Sequence, residues 1–413
     1  MRWRLSLLMF LQYAAPGAVV PFYSLRLEKE LGFTPGQIGL SAATQAMAAL
    51  LAPLLAGQIA DRWLPAERCL TIFGLAAGAL LWLLAGLTTP AAVFVTTLAS
   101  WLALVPMLTL STSITFAHLA NPQQNFGSVR LWGTVGWMIP GWLLGAWFSD
   151  PQWLGSLLAW VRPAVPRSEV ADAFRLAGLM AAAVGLYGLT LPPTPPQRRV
   201  GSPLAPLAAW RLLRGRSFAV LAICLLGVCW TIPFSTQGTP LLLTHLGIPR
   251  PWLGPTLTLT QTLEVVCLAL LPMLLLRLGL RGTMLVGLAS WGLALGVLAV
   301  GRPIGLVIAS LGLHGVCICC FLVTGQVYVN SRACGDVRVS VQGLFTCISG
   351  MGLLGGNLSA GWVRASVKGN FALTFAVAAF LTTVLTVIFL VGFMEDEPAP
   401  HQGKDTWESP RKS

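Results

Sequence analysis

Long unbroken apolar runs, rather than alternation, set the pattern of this chain. They lie near 5–25, 37–60, 69–87, 91–116, 128–148, 171–191, 218–243, 254–276, 282–300, 304–330, 339–362 and 371–393, with short polar stretches between them. Each approaches the roughly 20 residues that a helix needs to cross a hydrocarbon core of about 30 Å. Strands of a barrel would instead alternate polar and apolar positions over about 10 residues. Lipid leaves no backbone group unpaired, so continuous runs of this length mean helices. The pattern predicts an all-α membrane protein with twelve transmembrane helices. The first run follows Arg2 and Arg4 as a signal peptide would, with Ala14-Ala15 as a weak cleavage site. Gln12 and the continuation to Leu25 favour a retained helix.

The longest polar stretch, Pro192 to Arg216, carries Arg198, Arg199, Arg211, Arg214 and Arg216 between the sixth and seventh runs. It divides the chain into an N-terminal six-helix bundle (1–191), a basic cytoplasmic linker (192–216), a C-terminal six-helix bundle (217–394) and a cytoplasmic tail (395–413). A short internal echo supports the division. Gly127-Ser-Val-Arg130 opens the fifth run and Gly335-Asp-Val-Arg338 the eleventh. Lys and Arg concentrate on the side that bears both ends of the chain, which places both termini in the cytoplasm.

Composition agrees with the pattern. Of 413 residues, 55% are hydrophobic and 10% charged, against about 25% charged in soluble domains. Mean hydropathy is +0.75. The net charge of +12 sits in loops and tails rather than in one patch, so it orients the protein and implies no nucleic-acid partner. The nine cysteines lie almost all inside apolar runs, as do Cys317, Cys319 and Cys320. Their spacing suits small packing residues better than a metal site or a disulfide framework. No cofactor is expected, and no nucleophile-and-base set points to an enzyme. Prolines interrupt several runs, at Pro16, Pro21, Pro106, Pro233, Pro240, Pro255 and Pro272. They serve either as bends of moving helices or as tolerated substitutions. Glycines such as Gly350, Gly352, Gly355 and Gly356 allow close helix contact in lipid.

Few charged residues remain to carry chemistry. Gly57-Gln-Ile-Ala-Asp61-Arg62-Trp63 follows the second run, with Arg68 nearby. Asp61 at a helix end is placed to pair with Arg62, Arg68 or a neighbouring helix terminus. Glu264 is the one carboxylate deep inside a run, between Leu263 and Val265. A charge at that depth is costly and marks a solute or proton path, or else is neutralised structurally. Gln261 precedes it by three residues and shares its helix face. Arg130, Thr134 and Trp137 form another stripe at i, i+4 and i+7. A cation, a hydroxyl and an indole face suit a ribose or a base; the alternative is an interfacial charge beside a packing Trp. His314 is a candidate for proton work or a packed histidine. His118, His245 and His401 lie at helix ends or in the tail and receive no role.

The segment Gly-x-x-x-Asp61-Arg62 resembles the loop signature of the major facilitator superfamily, where it belongs to a conformational charge lock. Over nearly its whole length the chain is similar to the nucleoside:proton symporters of that superfamily. The resemblance is carried by Ala60-Asp61-Arg62-Trp63-Leu64, Arg130-Leu-Trp-Gly133-Thr134-Val-Gly136, Gln261-Thr-Leu-Glu264 and Ser340-Val-Gln342-Gly343-Leu-Phe345. It implies a solute site that includes Arg130, Thr134, Trp137, Gln261 and Glu264. Helix seven of the family carries Gln and Asn in that site, where this chain reads Thr231 and Phe234, so Thr231 joins the substrate-binding candidates. Helix ten of the family carries an acid thought to help couple protons, where this chain has Cys319. That leaves Glu264 as the proton-coupling candidate.

The expectation is a monomeric secondary active transporter of the inner membrane, working by alternating access and importing nucleosides or a related small polar solute with protons. The alternatives are a facilitator or exporter of another metabolite or drug on the same scaffold, and a receptor-like or assembly membrane protein.

Overall fold

A computed structural model describes residues 1–62, 64–119, 122–149, 170–194, 215–332 and 337–394. Side chains within 52–62, 122–124, 331–332 and 337–340 lie outside that description. Regular structure among the described residues is helical: α1 Arg2–Leu25, α2 Pro35–Arg62, α3 Ala66–Gly86, α4 Pro90–His118, α5 Pro122–Phe148, α6 Ala171–Gly188, α7 Arg216–His245, α8 Arg250–Leu257, α9 Leu259–Val300, α10 Ile304–Cys317, α11 Thr324–Arg332, α12 Val337–Ser366 and α13 Phe371–Gly392. π-helical turns extend α1 through Arg26–Glu30 and join α10 to α11 through Ile318–Val323.

The twelve predicted spans reappear in these helices. Seven described stretches are long and apolar enough to cross a membrane, and Arg250–Val300 is two spans in one. Its break falls at Gly279, with φ 67° and ψ 179°, a conformation essentially reserved for glycine. The second of these spans ends on Gly301 in the left-handed region, a standard helix stop. The helices α2, α5, α6 and α12 complete the set by packing on α4, α1, α3 and α7 respectively. Glycines let α3 and α6 touch, where a Cβ on Gly74 would lie 2.6 Å from the Cα of Gly185.

The first span runs further than its apolar run suggests. The run stops at Leu25, but the helix continues because Arg26 is buried, at 4% exposed, rather than solvated. Its guanidinium donates to the carbonyls of Ala85 (2.6 Å) and Leu87 (3.4 Å) at the C-terminal end of α3. A cation there satisfies carbonyls the helix leaves free and complements its dipole.

Helices α1 to α6 pack among themselves, as do α7 to α13. The two bundles meet through α2 with α12, α5 with α8, and α1 with α7. Residues 195–214 of the expected linker and the whole expected tail, 395–413, lie outside the described residues.

One face of the molecule carries the start of α1 and the end of α13. There Tyr187 donates to the Arg4 carbonyl (3.1 Å), Ser217 to that of Met394 (2.7 Å) and Arg281 to that of Leu390 (2.6 Å). The opposite face is where the bundles close on each other. A Cβ on Gly39 would lie 3.0 Å from the Cα of Gly361, and one on Gly254 would lie 2.8 Å from the Gly141 carbonyl carbon. An ion pair joins the bundles on this face: the Arg364 guanidinium meets the Glu28 carboxylate at 2.5 and 2.8 Å. Arg364 is 8% exposed and also stacks over the Phe371 ring at 5.1 Å.

Candidate functional site

Helix α5 presents Arg130, Thr134 and Trp137 on one half-buried stripe. Small residues decide where that stripe sits. A Cβ on Gly17 would lie 2.7 Å from the Trp137 Cα, so α1 and α5 touch backbone to backbone beside the indole. Gly133 leaves room for two side chains at once, with Arg130 Nη1 and Tyr13 Cδ2 each 2.7 Å from where its Cβ would be. The Arg130 guanidinium lies over the Tyr13 ring, 4.1 Å from its centroid. A cation held on an aromatic face gains about 0.5–2 kcal/mol, and its free edge stays available for a ligand.

Glu264 and Gln261 lie half-buried on α9. Their helix is fixed by α10: Thr260 donates to the Leu311 carbonyl (3.0 Å), and a Cβ on Gly315 would come within 2.6 Å of the Glu264 amide nitrogen. It is tied to the other bundle by Trp142, whose Nε1 donates to Thr258 Oγ1 at 3.2 Å. Among the described residues no hydrogen bond or ion pair occupies the Glu264 carboxylate. The charge that acts on it is Arg130, from the facing bundle. Arg130 and Glu264, each singled out in the sequence, therefore stand within electrostatic reach of each other from opposite bundles.

Other candidates stand elsewhere. Thr231 is 0% exposed: its hydroxyl donates to the Val228 carbonyl (2.8 Å) and accepts from Trp291 Nε1 (2.8 Å). Trp291 stacks on His314, with ring centroids 4.5 Å apart. Thr231 and His314 thus serve helix packing in this conformation. Phe234 and Cys319 are buried too. Asp61 and Arg62 end α2, and their side chains lie outside the described residues.

A second polar region was missed in the sequence. A cavity of about 50 Å³ lies between the bundles, lined from α1 by Tyr23 and Ser24, from α2 by Gln45, from α7 by Gln237 and from α12 by Asn357. Isolated Gln and Asn residues inside apolar runs were its available signal. Tyr13 gave none, because its partner lies on another helix.

Two six-helix bundles around a polar, charge-bearing interface define a secondary transporter of the major facilitator class. The match to a family model described as "Nucleoside H+ symporter" extends over residues 1–398, and the chain belongs to that family. It is 30% identical to the putative nucleoside transporter YegT of Escherichia coli (strain K12), across 95% of this chain and 94% of that protein. It is 28% identical to the xanthosine permease of the same organism, across 94% of this chain and 95% of that protein. The fold is similar to that of the nucleoside transporter NupG, with a TM-score of 0.82 at 22% identity over 96% of this chain and 99% of that one.

Proposed function

We propose that this chain imports nucleosides or a related small polar solute with protons, the bundles rocking about the site between Arg130 and Glu264. The observation that carries this reading is the Glu264 carboxylate, without a partner among the described residues and under the charge of Arg130 from the other bundle. A carboxylate in lipid without a partner is expensive unless its task is to bind and release. With Glu264 ionised, Arg130 attracts it and favours approach of the bundles. Protonation removes that attraction and leaves Gln261, Thr134 and the Arg130 edge to hydrogen-bond a solute, while Trp137 offers a face for a base to stack on.

Import also requires the closed face to open, so Glu28 and Arg364 must part in each cycle. The basic end of the molecule is cytoplasmic on this reading, in keeping with the positive-inside rule. The linker 192–216 then ties the bundles on the cytoplasmic side, and one chain is sufficient. Purified protein in liposomes, with the outside made acidic, is expected to accumulate labelled uridine or adenosine above the equilibrium level. Equal levels on both sides of the membrane, with or without the gradient, would refute proton-coupled import.

The burial of Cys319, at the place of the family's helix-ten acid, favours a second reading. On that reading proton coupling is lost with the helix-ten acid, and the protein would equilibrate its solute without a proton. Uptake that is saturable but indifferent to the gradient would select it.

A further inference from the structure

The cavity lined by Ser24, Gln45, Gln237 and Asn357 has no part in the mechanism above. Its donors are mostly spent inside the protein. Gln237 Nε2 donates to Asn357 Oδ1 (2.7 Å) and to the Asn357 carbonyl (3.3 Å). Asn357 Nδ2 donates to the Leu353 carbonyl (2.8 Å), and the Tyr23 hydroxyl to Thr97 Oγ1 (3.1 Å). Gln45 by contrast is exposed in the space between the bundles. The Ser24 hydroxyl is the anomaly: the residue is 2% exposed, it lines the cavity, and its Oγ has no hydrogen-bond partner. Buried polar groups are nearly always paired, so an unpaired one at a cavity wall points to a missing partner.

We propose that this cavity is the subsite for the vicinal hydroxyls of the solute's sugar, an inference that rests on the nucleoside reading. A diol supplies both what the walls lack and what they offer. One hydroxyl accepts from or donates to Ser24, and its neighbour donates to the amide oxygens of Gln45 or Gln237. Position agrees with chemistry. Gly17, packed on Trp137, precedes Ser24 on the cavity wall by seven residues. Two helical turns place the two on one face of α1, about 10 Å apart along its axis. A solute with its base stacked on Trp137 directs its sugar along this face toward Ser24. The walls come from both bundles, so rocking would build and dismantle the subsite, linking sugar recognition to transport.

The test compares adenosine with 2′,3′-dideoxyadenosine in gradient-driven liposome uptake, for wild type, Ser24→Ala and Gln45→Ala. Wild type should favour the ribonucleoside in kcat/KM by about tenfold or more, because a site built around a hydroxyl rejects the analogue that lacks it. In each variant that ratio should collapse toward one. A ratio unchanged from wild type, or equal losses for both solutes, would overturn the subsite and leave a cavity for water. Wild-type protein that carries neither compound would overturn the nucleoside reading itself, an outcome distinct from uptake with an unaltered ratio.

Discussion

Arg130 owes its position to Tyr13 on one side and to the absent side chain of Gly133 on the other. Substituting the ring should therefore act on the proposed solute site without removing any charge. Tyr13→Leu is expected to raise the KM for solute severalfold, in line with a loss of about 1 kcal/mol of cation–π attraction, and concentration-dependent uptake measures it. Thr231 should behave in the opposite way. Thr231→Val strands the Trp291 indole N–H, which costs about 1–3 kcal/mol when buried. A thermal melt should show a lower Tm, and the KM should move less than it does for Tyr13→Leu. Arg130 and Glu264 were legible in the sequence because a charge inside an apolar run stands out wherever it occurs. Tyr13, Ser24 and Asn357 were not, because their importance comes from partners on helices far away in the chain.

Helix placement was mostly legible, since lipid requires continuous apolar runs and polar breaks between them. The exceptions have local causes. Arg26 reads as the start of a loop, but its guanidinium caps α3, and the helix continues past it as a π turn. The turn between the two spans of α9 depends on Gly279, whose φ of 67° and ψ of 179° suit no side chain. Gly279→Ala is expected to destabilise the protein by about 1–3 kcal/mol, read as a lower Tm in detergent. The same change at Gly296, where a Cβ meets nothing within 4 Å, should have a much smaller effect.

The whole molecule stands with one face shut, by contacts that must be undone in every cycle. Two kinds of contact shut it: glycines that bring backbones together, and the pair of Glu28 with Arg364. The pair is partly screened, with side chains 21% and 9% exposed, so its net worth is well below that of a deeply buried bridge. Arg364→Ala should nonetheless shift the population toward opening on that face. In a background with the native cysteines replaced, Asn357→Cys should react faster with an impermeant thiol reagent added from that side when Arg364 is also removed. Equal labelling rates would mean that the glycine contacts alone hold the face shut. The division into two bundles was legible from the basic stretch after Pro192, whereas the state of the gate was not. Which face is closed depends on pairings across the bundles, and no single run of sequence contains them.

The central claim is that Glu264, opposite Arg130, couples solute to protons. Uptake of labelled uridine into liposomes, with and without an inward proton gradient, compared between wild type and Glu264→Gln, tests it most directly. The variant should still exchange uridine across the membrane but lose gradient-driven accumulation. Accumulation by Glu264→Gln equal to that of wild type would contradict the coupling role and assign the proton to another group.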